Sequence, residues 1–330
     1  MSRVTKSVLQ MGISIVILTV LVQFIDVSKA KTILSRAVPG FLIIAFFVCI
    51  LDRLLMGYKF RLILNAASIR ISVRDIFRIY YVSSLQGLIV PFGVGPDILR
   101  FWRIKQYGAS NADIIACILL ERFLGMIATG SLILVSLCLL AARLSGLKAG
   151  GQMIDIFLMV SGFLFLILWL LFHEGVRNVA LKRLRIQSVF SRIHMDNYYE
   201  AFSRFKDRRA VFVRFLSLSL LEQFFPVLVI YFSAQSLKLP IGFMDCLAVI
   251  PISTFAERLP LSFDGLGIRE GANIFLFGMM HVDYSTSLIL SLVAYLTFLF
   301  SLVPAAIWSF FEDVPPVLSK EPHVDSGRIP

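Results

Sequence analysis

The fold of this chain is decided by the stretch Glu257-Arg258-Leu259-Pro260-Leu261-Ser262-Phe263-Asp264-Gly265-Leu266-Gly267-Ile268-Arg269-Glu270. It places five charged residues and a Pro/Gly break between two apolar runs, 246–256 and 271–280. Both runs are shorter than the roughly 20 residues that a membrane-spanning helix needs. They therefore predict two half-helices around a break, and charge at membrane depth is typical of a transport pathway or a binding site. The alternative is an ordinary loop between two helices at the membrane surface.

The composition indicates a helical membrane protein with several spans. Of the 330 residues 58% are apolar and 16% are charged, and the mean hydropathy is +0.84, which excludes an ordinary soluble domain. The net charge of +11 fits basic loops at a lipid surface, and no soluble domain for nucleic acid is visible. The cysteines lie in apolar runs without C-x-x-C spacing and the histidines are scattered, so we expect no disulfide, metal site or cofactor.

Apolar segments predict about six full spans, at residues 8–25, 38–64, 112–142, 154–172, 211–237 and 284–311. The first resembles the apolar part of a signal peptide, but its length favours a retained span. Residues 173–210 are basic with apolar residues at helical spacing, which predicts an amphipathic helix on the cytoplasmic surface; a solvated loop is the alternative. We expect residues 1–311 to form one membrane domain and residues 312–330 to be a disordered tail. In the second span we expect the charged side chains to reach lipid head groups, namely Asp52, Arg53, Lys59 and Arg61.

A second Pro/Gly break begins at Pro91 and repeats the arrangement of the first. Pro260 and Arg269 each follow Pro91 and Arg100 by the same 169 positions, and the flanking hydropathy patterns superimpose at that offset. The repeats cover about 38–142 and 207–311, each a span, a re-entrant hairpin and a span. Because one span lies between them, their orientations are opposite. The predicted fold is an all-α polytopic membrane protein with about six full spans and two re-entrant helical hairpins in an inverted repeat.

The two breaks predict a binding site for an anion. Each half-helix starts with unpaired backbone N–H groups, glycines permit close approach, and an arginine about one turn later can bind phosphate oxygens. A phospholipid or polyprenyl-phosphate head group is the expected guest. The candidate residues are Pro91, Gly93, Gly95, Asp97, Arg100, Pro260, Ser262, Asp264, Gly265, Gly267, Arg269 and Glu270. The acidic members can equally cap the helices and pair with the arginines.

Five further charged residues are candidates for ion pairs between helices or for a proton relay: Glu121, Arg122, Glu222, Glu257 and Arg258. The sequence contains no G-x-x-x-x-G-K-[ST] phosphate loop, no G-x-S-x-G elbow and no H-E-x-x-H helix. We therefore expect a transporter in preference to an enzyme, without ATP hydrolysis by this chain.

The residues from Leu259 to Glu270 resemble the Pro-x-Ser-x-Gly-Gly-x-Gly-x-Arg-Glu signature of the lysylphosphatidylglycerol synthase transmembrane, or flippase-like, family. Residues 91–100 are similar to its Pro-x-x-x-Gly-Gly-Asp-x-x-Arg element, and Glu121-Arg122-Phe-Leu-Gly125 resembles its Arg-x-x-Gly helix start. The resemblance covers about residues 8–311. It implies translocation of a phospholipid or lipid-linked precursor across the bacterial inner membrane. The charge distribution then predicts cytoplasmic N- and C-termini.

Two residues depart from the family's pattern. Pro96 and Asp264 each stand where a glycine is usual, which removes a permissive backbone position, and Asp264 adds negative charge. With 18 residues after Glu312, we expect no synthase domain. One alternative function is a membrane transferase or phosphatase acting on a lipid carrier, with Asp264 or Glu270 as base. Another alternative function is that of a non-catalytic partner of lipid or polysaccharide biosynthesis enzymes. The sequence is also compatible with association of the chain with a second copy of itself as a homo-oligomer.

Overall fold

A computed structural model describes residues 19–23, 25–88, 95–143, 155, 209–258 and 265–310. These residues form helices joined by short turns and contain no strand. In chain order we label the main helices α1 (Val27–Ser35), α2 (Pro39–Ala66), α3 (Val73–Gly87), α4 (Gly95–Lys105), α5 (Asn111–Arg143), α6 (Arg209–Glu222), α7 (Phe224–Ser236), α8 (Phe243–Glu257), α9 (Ile268–Met279), α10 (Tyr284–Ser301) and α11 (Val303–Phe310).

Within the described residues, four helical segments are long and apolar enough to cross a membrane. They are Pro39–Ala66, Asn111–Arg143, Ala210–Ser236 and Tyr284–Ser309. Each lies within two residues of a predicted span, because transfer into lipid depends on local composition and length. The predicted spans 8–25 and 154–172 lie largely outside the described residues, as do most of the basic segment 173–210 and the whole of the tail 312–330.

Local sequence signals start several of these helices. Pro39 occupies the first turn of α2, where its missing N–H is not needed. The Ser72 hydroxyl caps α3 by accepting the Asp75 N–H at 3.1 Å, and the Asp283 carboxylate caps α10 by accepting the Thr286 N–H at 3.0 Å. Hydrogen bonds from Lys29 and from Thr286 lower the pKa of Asp283, so this cap stays charged at neutral pH.

Two units with the same packing pattern make up the described bundle. In the first unit α3 packs against α2 and α4, α4 packs against α5, and α2 contacts α5. In the second unit α8 packs against α7 and α9, α9 packs against α10, and α7 contacts α10. Between the units, α2 packs on α7, α5 packs on α8, and α3 packs on α11. The last two contacts are equivalent, because the 169-residue offset carries α3 onto α8 and α5 onto α10 and α11. The packing therefore supports the internal repeat that the hydropathy predicted.

A hydroxyl group bonds to a backbone carbonyl at each of the two equivalent interfaces between the units. Ser136 on α5 donates to the carbonyl of Ala248 at 2.6 Å, three residues before Pro251 in α8. Tyr81 on α3 donates to the carbonyl of Ser301, three residues before Pro304. Prolines disrupt helical hydrogen bonding, and in a membrane the carbonyls affected must find partners on neighbouring helices. These two bonds meet that requirement across the unit boundary.

The outer surface of the described bundle is apolar. Phe47, Phe275, Phe300 and Leu221 are each more than half exposed. In water such a surface would aggregate, whereas lipid chains cover it at no cost. The buried polar residues instead lie inside the bundle, which is the arrangement of a membrane protein.

Candidate functional site

A cavity of about 310 Å³ lies between α2 and the helices of the second unit, α7 to α10. Much of its wall is apolar, but three arginines and three carboxylates also line it, so its formal charge is zero: Asp52, Arg53, Glu222, Glu257, Arg258 and Arg269. Ligand cavities typically start at about 300 Å³. This volume therefore suits a polar head group, with the acyl chains of a lipid left outside.

The residues directly before α9 pass close to Glu257 at the end of α8. Gly265 and Gly267 have φ angles of +68° and +87°, a region that favours glycine. A Cβ atom on Gly265 would lie 2.2 Å from Cγ of Glu257. These glycines shape the turn and make room for a carboxylate, which is a structural use of residues that we predicted to approach a ligand.

The start of α9 is capped by its own carboxylate. Glu270 is fully buried and accepts the backbone N–H of Gly267 at 2.7 Å. A carboxylate at this position satisfies an unpaired N–H group and interacts favourably with the helix dipole. A bound anion would have to compete with Glu270 for the N-terminus of α9.

Arg269 lines the cavity, but two carboxylates neutralise it. Its guanidinium lies 2.6 Å from Glu270 and 3.7 Å from Glu257. It also stacks over the ring of Tyr295, 4.3 Å from the centroid. This pairing holds the side chain in one orientation and offsets its charge.

Arg258, directly after α8, has a different environment. Its side chain is exposed and lines the cavity. It donates to the hydroxyl of Thr129 on α5 at 2.8 Å, and among the described residues it forms no ion pair. Thr129 is itself held by the side chain of Gln223 at 3.1 Å and the carbonyl of Gly125 at 2.9 Å. The hydrogen bond to a neutral hydroxyl thus orients Arg258, and no salt bridge to a described carboxylate holds it.

The first helix pair, α3 and α4, contains a buried charge network. Arg100 is 5% exposed, pairs with Asp97, and lies 2.7 Å from Glu121. Glu121 also accepts the hydroxyl of Tyr80 at 3.0 Å, and Arg122 pairs with Asp97. The guanidinium of Arg100 stacks over the Tyr80 ring, 4.4 Å from its centroid.

Arg100 and Arg269 are equivalent in the sequence repeat but have different surroundings in the structure. Arg100 pairs with two carboxylates through its two Nη atoms and is not part of the cavity lining, whereas Arg269 is part of it. Glu121 and Arg122 tie helices of the first unit together. We expected Arg100 and Arg269 to share one site, but the described cavity brings together only residues of α2 and the second unit with the end of α6.

A second buried ion pair joins the two units. Lys59 on α2 is 3% exposed and pairs with Glu222, which is 7% exposed. Lys59 also donates to the Ser219 hydroxyl at 3.0 Å. The expectation that Lys59 and Asp52 reach lipid head groups is therefore wrong, because both are buried: Lys59 finds a carboxylate 163 residues away, and Asp52 pairs with Arg53 at 2.7 Å.

Comparison with protein families agrees with the resemblance seen in the motifs. The model of the family described as lysylphosphatidylglycerol synthase TM region matches residues 7–307. The chain belongs to this family. Comparison with curated proteins and with solved structures gave no match. Family membership and the four apolar helices make it a membrane protein of lipid-related function.

The structure describes part of each of the two family motifs. Gly95 and Asp97 are buried at the start of α4, and Gly265, Gly267 and Glu270 are buried around the start of α9. The predicted tip residues lie outside the described residues: Pro91, Gly93, Pro260, Ser262 and Asp264.

From the sequence we predicted Arg258 as an ion-pair or proton-relay residue, and in the structure it lines the cavity. The sequence did not predict Lys59 as the partner of Glu222. One sequence signal pointed to Arg258. At the 169-residue offset its counterpart is Ile89, so its charge has no equivalent in the first repeat. No comparable signal marks the Lys59–Glu222 pair, because helix packing alone brings these residues together.

Proposed function

We propose that this protein moves a phospholipid or a lipid-linked precursor, such as a polyprenyl phosphate, across the bacterial inner membrane. The head group enters the cavity between α2 and the second unit, and the acyl chains stay in the bilayer. The observation that carries the proposal is this cavity, which lies inside a bundle with an apolar exterior and holds an arginine that forms no salt bridge among the described residues. Charge at membrane depth is costly and marks a pathway or a binding site.

The proposed arrangement is an inverted repeat with the helix pairs α3–α4 and α8–α9 as re-entrant hairpins. Their helices of 15, 11, 15 and 12 residues are each too short for a full span. The matching contacts of the two units support a repeat, and transporters of this kind bind substrate between repeats. Both termini lie in the cytoplasm, and the partners are membrane lipids together with a second copy or lipid and polysaccharide biosynthesis enzymes.

A scrambling assay with a cavity-filling variant tests the proposal. The full chain is reconstituted into liposomes with a fluorescent phospholipid or polyprenyl phosphate, and dithionite reduces the probe in the outer leaflet. Ala294 lines the cavity and is 5% exposed, so Ala294→Trp fills the space without changing a charge. Leu296 is 52% exposed, so Leu296→Trp on the same helix is the matched control.

We expect dithionite to remove nearly all fluorescence from liposomes with wild type or Leu296→Trp, because the inner-leaflet probe reaches the outer leaflet. Liposomes with Ala294→Trp should lose only the outer-leaflet fluorescence, as protein-free liposomes do. Size-exclusion chromatography checks that each variant is folded. Scrambling by folded Ala294→Trp at the wild-type rate would exclude the cavity as the path. Product formation from a lipid carrier in detergent micelles, where no leaflets exist, would instead favour the transferase or phosphatase alternative, with Asp264 or Glu270 as the base.

A further inference from the structure

The three arginines nearest to the family motifs differ in how their charge is balanced. Arg100 has Asp97 and Glu121, and Arg269 has Glu257 and Glu270. The charge of each guanidinium is already balanced by two carboxylates, and a phosphate placed beside it would be repelled by them unless it displaced one. Both motif arginines are therefore better suited to hold their helices than to bind a ligand.

Arg258 is better placed to bind an anion than the two motif arginines. It lines the cavity, its side chain is exposed, and its contact within the described residues is the neutral Thr129 hydroxyl at 2.8 Å. One Nη atom is used in that bond, and the described residues leave the other N–H donors for a ligand. The bond also fixes the direction of the side chain, which reduces the entropy cost of binding.

A second feature of the cavity also points to a ligand. Asn273 lines it and is 1% exposed. Its amide nitrogen donates to Ser291 at 2.9 Å, but its Oδ1 has no hydrogen-bond partner among the described residues. Buried polar groups are normally satisfied. The cavity thus combines the donor at Arg258 with an unused acceptor at Asn273.

We propose that Arg258 is the residue that binds the head-group phosphate, while Arg100 and Arg269 hold the two helix pairs in place. The choice of a lipid as the ligand rests on the proposed function. A guanidinium without a salt bridge among the described residues can balance one negative charge, and the neighbouring Glu257, whose side chain is 31% exposed, disfavours a second negative charge. A position at the end of α8 also lets Arg258 stabilise the helix dipole, so the test must separate binding from stability.

Binding to the full chain in detergent micelles provides the test. The probe is dihexanoyl-phosphatidylglycerol, which carries one phosphate charge, and dihexanoylglycerol is the probe without phosphate. Inorganic phosphate and glycerol 3-phosphate show whether a soluble anion is the true ligand. The variants are Arg258→Gln, Arg258→Lys and, as matched control, Arg143→Gln, because Arg143 is 58% exposed and pairs with Asp245 away from the cavity.

We expect Arg258→Gln to weaken binding of the phospholipid by about tenfold to a hundredfold, the usual effect of losing a hydrogen bond to a charged group. Arg258→Lys should lose less, and Arg143→Gln should match wild type. Dihexanoylglycerol should bind wild type and Arg258→Gln equally. Phospholipid binding by folded Arg258→Gln within twofold of wild type would overturn the assignment, and so would inorganic phosphate or glycerol 3-phosphate binding as tightly as the phospholipid.

A measurement on wild type keeps the test independent of folding of the variants. Phenylglyoxal modifies accessible arginines, and mass spectrometry reports each site. Dihexanoyl-phosphatidylglycerol should protect Arg258 and leave Arg143 unprotected; equal modification of Arg258 with and without the lipid contradicts the proposal. Arg258-dependent binding by a protein that scrambles no lipid would leave this inference standing while the proposed function fails.

Discussion

The buried pair of Lys59 and Glu222 predicts a large and specific loss of stability. Both residues are less than a tenth exposed, and Lys59 also lies over the ring of Phe215, 4.9 Å from its centroid. Lys59→Met keeps the length of the side chain but leaves the Glu222 carboxylate buried without its cation. Breaking a buried pair in this way typically costs about 3–5 kcal/mol. At about 2 °C per kcal/mol for a chain of this size, the melting temperature should fall by about 6–10 °C.

A double-mutant cycle separates the pair from simple loss of packing. Lys59→Met with Glu222→Leu removes both charges and should recover most of the loss, because an apolar pair of similar volume is about as stable as a buried ion pair. The matched control is Lys29→Met. Lys29 lies 2.9 Å from Asp283 with side chains 41% and 48% exposed, and such surface pairs contribute at most about 1 kcal/mol.

Thermal denaturation of the full chain in detergent, followed by fluorescence-detected size-exclusion chromatography, measures five proteins: wild type, Lys59→Met, Glu222→Leu, the double variant and Lys29→Met. A melting temperature for Lys59→Met within about 2 °C of wild type would refute the reasoning. The reasoning would also be refuted if the losses of stability of Lys59→Met and Glu222→Leu added up in the double variant. Either result would mean that Glu222, which also lines the cavity, reaches water there once its partner is gone.

The same assay checks three further predictions. Arg100→Gln removes the cation that pairs with buried Glu121 and leaves Asp97 with Arg122 alone, and we expect a loss of about 3–5 kcal/mol; a loss below about 1 kcal/mol would show that Glu121 finds another partner. Gly265→Ala places a Cβ 2.2 Å from a neighbouring side chain at φ +68°, which should cost roughly 2 kcal/mol or more. Its control, Gly271→Ala, has no atom within 4 Å of the new Cβ and should be neutral or gain about 0.5–1 kcal/mol. Tyr81→Phe removes the hydroxyl that bonds the Ser301 carbonyl and should cost about 0.5–1.5 kcal/mol; an unchanged melting temperature would indicate that the carbonyl is satisfied within its own helix.

Much of the fold was predictable from the sequence. The four described spans lie within two residues of their predicted bounds, because partition between water and lipid is a property of local composition. The short helices around the two Pro/Gly breaks were also predictable, since Pro and Gly interrupt helices through backbone geometry. The matching of the two repeats followed from the offset of Pro91 and Pro260, and the packing of the helices supports it.

The candidate site was predictable only in part. The motif identified Arg269 and Glu270, which do lie at or beside the cavity. It did not reveal that Arg100 is enclosed by its own network. In the sequence Arg100, Arg258 and Arg269 are equivalent cations, and their partners come from different helices.

The sequence by itself determined that this protein lies in a membrane, where its apolar helices run, and where the chain must break. Those properties follow from the side chains and backbone of short segments, one at a time. Only the tertiary structure decided which charges neutralise one another. Lys59 and Glu222 meet because α2 packs beside α6 and α7, and Arg258 bonds to the neutral hydroxyl of Thr129 because α5 packs beside α8. Coulomb energies depend on distances across the bundle, and residue order does not encode those distances.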